Sequence, residues 1–258
     1  MIRPEISEPK HWDVWKTIGQ VIGVLVCLSL LFALLSPIFE TTPEHRGPSP
    51  CKRNLKQIGL ALHNYHDTYK CFPPAFVLGP DGKPWHSWRV LILPFLEERP
   101  LFEKYRFDEP WNGPNNSKLL DQRPLAFACH WIDNKTHVPK TDTNFVAVVG
   151  SETAWPGVES IRVADIEDGT SNTALVIEVR DAGIPWLAPD DLSFEEASLP
   201  PRGIKGRRAS SIHFTEADHG GLHVLMGDGT VKFVNCELVP EIWKALLTRA
   251  GGEAVADF

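Results

Sequence analysis

From Ile18 to Phe39 the chain runs for 22 residues without a charged side chain, and no other feature restricts its fold as strongly. As a helix rising ~1.5 Å per residue, that run is about 33 Å long, the thickness of a bilayer's hydrocarbon core. Its interruptions are mild: Gln20, Ser29, Ser36 and a few small residues. A cleaved signal peptide has a shorter apolar stretch after a basic start and an Ala-x-Ala-like site. Here the start is charge-balanced, and Leu34-Leu35-Ser36-Pro37-Ile38 offers no clean site. Residues 18–39 are therefore expected to be an uncleaved anchor that meets membrane lipid, behind a tail of residues 1–17. Trp12 and Trp15 stand where an interfacial aromatic belt falls, and Lys16 closes the edge. Arg46, Lys52, Arg53 and Lys56 beyond the run rival the basic residues before it. A short tail ahead of a long domain favours a cytoplasmic tail and a translocated domain: a single-pass inner-membrane protein with a periplasmic or extracytoplasmic C-terminal part.

The formal net charge is -7. Residues 1–38 balance Arg3, Lys10 and Lys16 against Glu5, Glu8 and Asp13, so the excess negative charge lies beyond them. A surface of that sign repels phosphate backbones, which argues against nucleic acid as a partner. Of five cysteines, Cys27 lies in the apolar run, leaving Cys51, Cys71, Cys129 and Cys236. An even number suits two disulfides in an oxidising compartment. If residues 51–69 are one helix, Cys51 and Cys71 lie roughly 27 Å apart, which excludes that pair and leaves the others open. No Cys-x-x-Cys or similar spacing is present, so no thiolate metal site and no cofactor is expected.

After the anchor, Thr41 to Pro50 carries Pro43, Gly47, Pro48 and Pro50 and reads as a linker, residues 40–50. Leu55, Ile58, Leu62, Tyr65 and Tyr69 then follow the spacing of an amphipathic helix over Cys51 to Tyr69, which Phe72-Pro73-Pro74 ends. A short helix is expected around Trp88 to Leu96 and an irregular turn at Glu109 to Asn116. Strands are expected at Phe145–Val149 and Ala174–Val179. Leu222–Met226 and Thr230–Val234, joined by Gly227-Asp228-Gly229, read as a hairpin. A last helix is expected from Pro240 to before Gly251, and Pro189 to Gly206 reads as a long polar loop. One long helix followed by hairpin-linked strands indicates an α+β domain with an antiparallel sheet in residues 51–258.

The stretch Asn54-Leu55-Lys56-Gln57-Ile58-Gly59 through His63-Asn64-Tyr65-His66 to Tyr69, with Phe72-Pro73-Pro74, resembles the DUF1559 family. That family comprises prepilin-like proteins of unknown function, multiplied mainly in planctomycete bacteria. Further blocks resemble it in order: Ser87-Trp88-Arg89 to Glu97, Pro110-Trp111-Asn112, Phe127-Ala128-Cys129, Thr143-Asn144 to Gly150, Asp168-Gly169-Thr170-Ser171-Asn172-Thr173, Pro185-Trp186 with Pro189-Asp190-Asp191, and Leu247-Thr248-Arg249 with Gly251-Gly252-Glu253. The family's C-terminal signature, a His nine residues ahead of Asp-Gly, is met imperfectly by His219-Gly220-Gly221 with Asp228-Gly229, where eight residues intervene. The resemblance implies a pilin-like domain. It also implies a Gly-led prepilin leader opening the hydrophobic helix, and Ile18 to Phe39 lacks it, so a plain anchor in its place is expected.

Candidate chemistry is sparse. His63 and His66 stand three apart on one helix and could share a metal ion, but no Cys, Asp or Glu partner stands at an expected spacing. His219, His223 and Asp228 together are residue types suited to acid-base work, yet the glycines beside them suit hairpin geometry. Ser171 lacks the Gly-x-Ser-x-Gly context of a nucleophile, and Asp168 and Asn172 suit turn capping. Asp190 and Asp191 could help hold calcium with carbonyl oxygens, although adjacent acids in a Pro-rich loop are more often simply solvated. Seven tryptophans beyond the anchor could stack on a sugar or could fill a core. The sequence expectation is a non-enzymatic, membrane-anchored, pilin-like envelope or surface protein acting through protein partners. The alternative is an anchored carbohydrate- or ligand-binding module using residues 85–155.

Overall fold

The computed structural model describes residues 11–39, 50–129, 139–179, 183–198, 220–235 and 237–253, with side chains described over 18–32 in the first helix. The chain divides into two compact units, Met1–Gly47 and Pro48–Phe258. The first holds helix α1, His11–Phe39. Its large apolar side chains from Ile18 to Phe32 are 42–78 % exposed. Among the described residues no helix is long and apolar enough to cross a membrane.

The second unit is α+β. Helix α2, Pro50–Tyr69, starts on a proline and stops where Lys70 turns left-handed at φ 64°. Its inner stripe of Cys51, Asn54, Leu55, Ile58, Gly59, Ala61 and Leu62 is buried. A short hairpin follows, β1 Phe76–Leu78 with β2 Pro84–Ser87, then α3 Trp88–Leu91 and α4 Arg99–Lys104. The main sheet is antiparallel in the order β3 Phe145–Val146, β5 Ala174–Glu178, β7 Gly221–Met226, β8 Val231–Asn235. Because side chains alternate along a strand, β7 sends Leu225 into a core shared with α2, and Leu222, Val224 and Met226 into a second core. Trp243, Leu246 and Leu247 of α6, Pro240–Leu247, fill that second core.

Two expectations need correction. Phe145–Val149 is not one strand: Val148–Val149 forms β4, which pairs in parallel with β6, Leu192–Ser193. The break falls at Ala147, whose N–H donates to Asp191 Oδ1 at 2.7 Å instead of extending a ladder. Nor is Pro189 to Gly206 all loop, since β6 and the short helix α5, Phe194–Ala197, lie within it. The Ser193 hydroxyl and Glu196 carboxylate cap α5 reciprocally. Residues 199–206 lie outside the described residues, as does most of the linker.

A buried polar network ties these elements. Arg89 and Asp191 pair with side chains 0 % and 2 % exposed. The guanidinium also donates to the Phe145 carbonyl and Ser87 Oγ and stacks 4.7 Å from the Trp88 ring. Four tryptophans, Trp88, Trp155, Trp186 and Trp243, are at most 1 % exposed. Each indole N–H is satisfied, by Asp191 Oδ2, Leu175 O, Leu120 O and Ala197 O respectively. A disulfide joins Cys51 to Cys129, with Cα atoms 5.1 Å apart. Cys71 is free, in keeping with the excluded Cys51–Cys71 pair. Cys236 lies outside the described residues.

Candidate functional site

The outer stripe of α2 carries Lys52, Lys56, Leu60 and His63 at i, i+4, i+8 and i+11, one face of a helix. Leu60 is 63 % exposed and forms the wall between two cavities. One, of about 520 Å³, lies towards the β7–β8 turn and is lined by Lys52, Lys56, His63 and residues 228–231. The other, of about 290 Å³, lies towards Phe95 to Glu98 and Pro124 to Ala126, with Gln57 on its edge. Leu125, 72 % exposed, stands on that second cavity. At its rim Glu97 holds a left-handed backbone, φ 62°, a conformation that costs a non-glycine residue about 1–3 kcal/mol. The Glu98 N–H closes this turn onto the Leu93 carbonyl.

His63 packs edge-on to Phe72, ring centroids 5.6 Å apart, and its buried Nε2 finds no hydrogen-bond partner among the described residues. A Cβ on Gly229 would come within 3.3 Å of that nitrogen, and Gly229 itself sits at φ 80°. Helix and turn are therefore closely fitted here. His66 does not join His63 in a metal pair: its Nε2 accepts from Val163 N at 3.3 Å.

Residues far apart in sequence meet at one end of the sheet. Asp168 accepts from Gly251 N and Gly252 N, both at 2.7 Å, and from Thr248 Oγ1. Thr170 O receives the Asp228 N–H, and Thr173 O the Gly227 N–H. Asp228 Oδ1 accepts from both the N–H and the hydroxyl of Thr230. Asn172 closes the local turn on the Gly169 and Asp168 carbonyls, while Ser171 and Glu253 are exposed. Asn54 donates through Nδ2 to Leu125 O and Ala128 O, and Leu55 is wholly buried. Trp88 is a core residue, and Gln57 is exposed on the cavity edge. Gly220 lies at φ 59° and leads into Gly221, where a Cβ would fall 2.4 Å from the Val234 carbonyl. His219 lies outside the described residues.

The expectation that Asp190 and Asp191 are simply solvated fails for Asp191, which is buried and committed to Arg89, Trp88 and Ala147, so it does not serve the weighed calcium alternative either. Burial pushes its carboxyl up to about 6, against the pull of Arg89 and the Ala147 N–H. A sugar platform built from Trp88 and Trp155 is likewise closed off in the core. His223 was weighed with His219 and Asp228, but its Nδ1 meets Glu178 Oε2 at 2.7 Å. Sequence reasoning missed Glu178 and Asn144, for which no local signal exists, and also Arg89, an arginine inside an apolar run.

A long helix laid on an antiparallel sheet, with paired cavities along the helix's outer stripe, defines an α+β protein. Residues 49–130 match the family described as "Protein of unknown function (DUF1559)", and over that segment the chain is similar to its members. The matched span holds α2, the β1–β2 hairpin, α3, α4 and both bridged cysteines. The match carries no enzymatic description. No curated protein and no solved structure matches the chain.

Proposed function

We propose that this chain is a membrane-tethered, noncatalytic envelope protein of pilin-like type whose second unit works through protein contacts on the outer face of α2. The observation that carries this reading is that Leu125 and Leu60, the two most exposed large apolar side chains described beyond α1, line the same cavity. Clustered rather than scattered exposed apolar groups favour a contact surface. The tether rests on the uncharged run Ile18 to Phe39 lying within α1. The Cys51–Cys129 disulfide supports a domain outside the cytoplasm, because such bridges form in oxidising compartments.

The full-length protein is expected to pellet with membranes and resist carbonate extraction. A photo-crosslinker at position 60 or 125 should give a discrete adduct in intact membranes, and one at exposed Val158 should not. Leu125→Asp should abolish the adduct formed from position 60, and Leu60→Lys the one formed from position 125, each leaving stability within about 0.5 kcal/mol. Recovery in a soluble fraction, or identical adducts from all three positions, would overturn the reading. A second reading, small-ligand binding, is favoured by the cavity beside the unpartnered His63 Nε2. A ligand or sugar that raises the melting temperature of wild type but not of His63→Ala would select it.

A further inference from the structure

Cys51, Cys129 and Glu178 place two sulfurs and a carboxylate oxygen within 4.8 Å of one another. We propose that these residues form a binding site for a divalent transition metal of the zinc type, filled when the two thiols are reduced. The donor set points to that class. Two thiolates select zinc-like ions over calcium or magnesium, and a carboxylate is an accepted third ligand, with water completing a tetrahedron. Cys51 and Cys129 are 3 % and 5 % exposed, whereas the Glu178 side chain is 15 % exposed, which leaves an approach for that water. Zinc with donors at about 2.0–2.3 Å sets them roughly 3.3–3.8 Å apart. Once the Sγ–Sγ bond opens, small side-chain rotations reach that spacing.

Besides the disulfide, hydrogen bonds also hold the cluster. Asn54, one turn after Cys51 on α2, bonds the Leu125 and Ala128 carbonyls and so holds the segment leading to Cys129. Asn144 Oδ1 accepts the Cys129 N–H at 2.9 Å. His223 fixes the carboxylate twice, through its backbone N–H at 3.1 Å and its Nδ1 at 2.7 Å. Supporting bonds of this kind orient metal ligands and sharpen affinity. Cys51 also lies in the first turn of a 20-residue helix, whose positive end favours a thiolate. The two cysteines are 78 residues apart, which is why no local zinc spacing announces them.

The disulfide and the metal are alternative states of one pair. A dithiol or phosphine reductant supplies two electrons to break the Sγ–Sγ bond, and the sulfurs take up two protons. Metal binding then releases those protons to solvent as both thiolates ligate. The test uses full-length protein in detergent, reduced with a phosphine, freed of metal and titrated with cobalt(II), then zinc. Reduced wild type is expected to bind one equivalent with thiolate-to-cobalt charge-transfer absorption, which zinc abolishes, while the oxidised protein gives none. Glu178→Gln should weaken cobalt binding at least ~10-fold and His223→Gln by about 10-fold, with oxidised-state melting temperatures confirming that both variants fold. Cys51→Ser should remove the absorption. Absence of stoichiometric absorption in the reduced chain, including through loss of its fold, or wild-type affinity in Glu178→Gln, would overturn the proposal.

Discussion

Asp191 lies 102 residues beyond Arg89, yet the two side chains face each other with almost no solvent access. The pair gathers α3, the Phe145 carbonyl and the Ala147 N–H around one charge couple. Removing one member leaves a buried charge uncompensated, which typically costs about 3–5 kcal/mol. Arg89→Met and Asp191→Asn are each expected to lower stability by about that amount in denaturant titrations. The double variant Arg89→Met/Asp191→Asn should cost well under the sum of the two single changes, because no orphan charge remains.

His86 is 3 % exposed and its Nδ1 contacts Tyr105 Oη at 2.9 Å. Burial pushes the imidazole below its ordinary 6.5, so the fold favours the neutral ring. The folded pKa lies below the unfolded one. Its contribution is therefore complete above ~6.5 and is lost as pH falls through the folded value. Asp191 acts with opposite sign: with its folded pKa raised to about 6, its contribution is present in acid and lost as pH rises through that value. The difference between wild type and His86→Gln isolates the histidine. The wild-type melting temperature should fall relative to the variant on going from about pH 8 to about pH 5.

Asp168 is the acceptor that fastens residues 248–252 to the turn beneath the sheet. Hydrogen bonds to a charged group are worth about 1.5–3 kcal/mol when satisfied. Asp168→Ala is expected to destabilise by about 1–2 kcal/mol and to speed exchange of the Gly251 and Gly252 amides selectively, which hydrogen exchange reads directly.

Gly227 has a steric reason to be glycine. A Cβ there would sit 2.9 Å from the Thr170 carbonyl oxygen, a backbone atom without freedom to retreat. Gly227→Ala should cost about 1–3 kcal/mol by forcing the β7–β8 turn off residues 170–173. Gly82→Ala is a useful comparison, because its cost comes from its φ of 72° alone with no neighbour within 4 Å.

The elements that sequence made legible are those whose signal is local. The stripe Leu55, Ile58, Leu62 defines α2, Gly227-Asp228-Gly229 defines the β7–β8 turn, and Pro240 opens α6. The division of Phe145–Val149 was not legible, because the agent is a carboxylate arriving from residue 191. The β1–β2 hairpin and α5 carry local signals, Pro80-Asp81-Gly82 and the Ser193/Glu196 capping pair, that were legible in principle. For the candidate site, Leu60 is unremarkable in sequence as one more apolar residue of a helix. Only the burial of its neighbours shows that it faces outward. The Cys51, Cys129 and Glu178 cluster likewise exists only in three dimensions.

The four interior tryptophans also give the protein a built-in optical record of its own unfolding. Their indoles are shielded from water and anchored to acceptors in different parts of the chain: the 183–191 segment, β5, the 116–122 turn and α5. Native emission should accordingly be blue-shifted and move to the red as each acceptor lets go. Variants that keep one of these four and carry phenylalanine at the other eight of the chain's nine tryptophans would convert a single fluorescence trace into four local ones. Superimposed curves would describe a second unit that melts as a whole, and an early curve from Trp243 would describe an α5–α6 layer that leaves first.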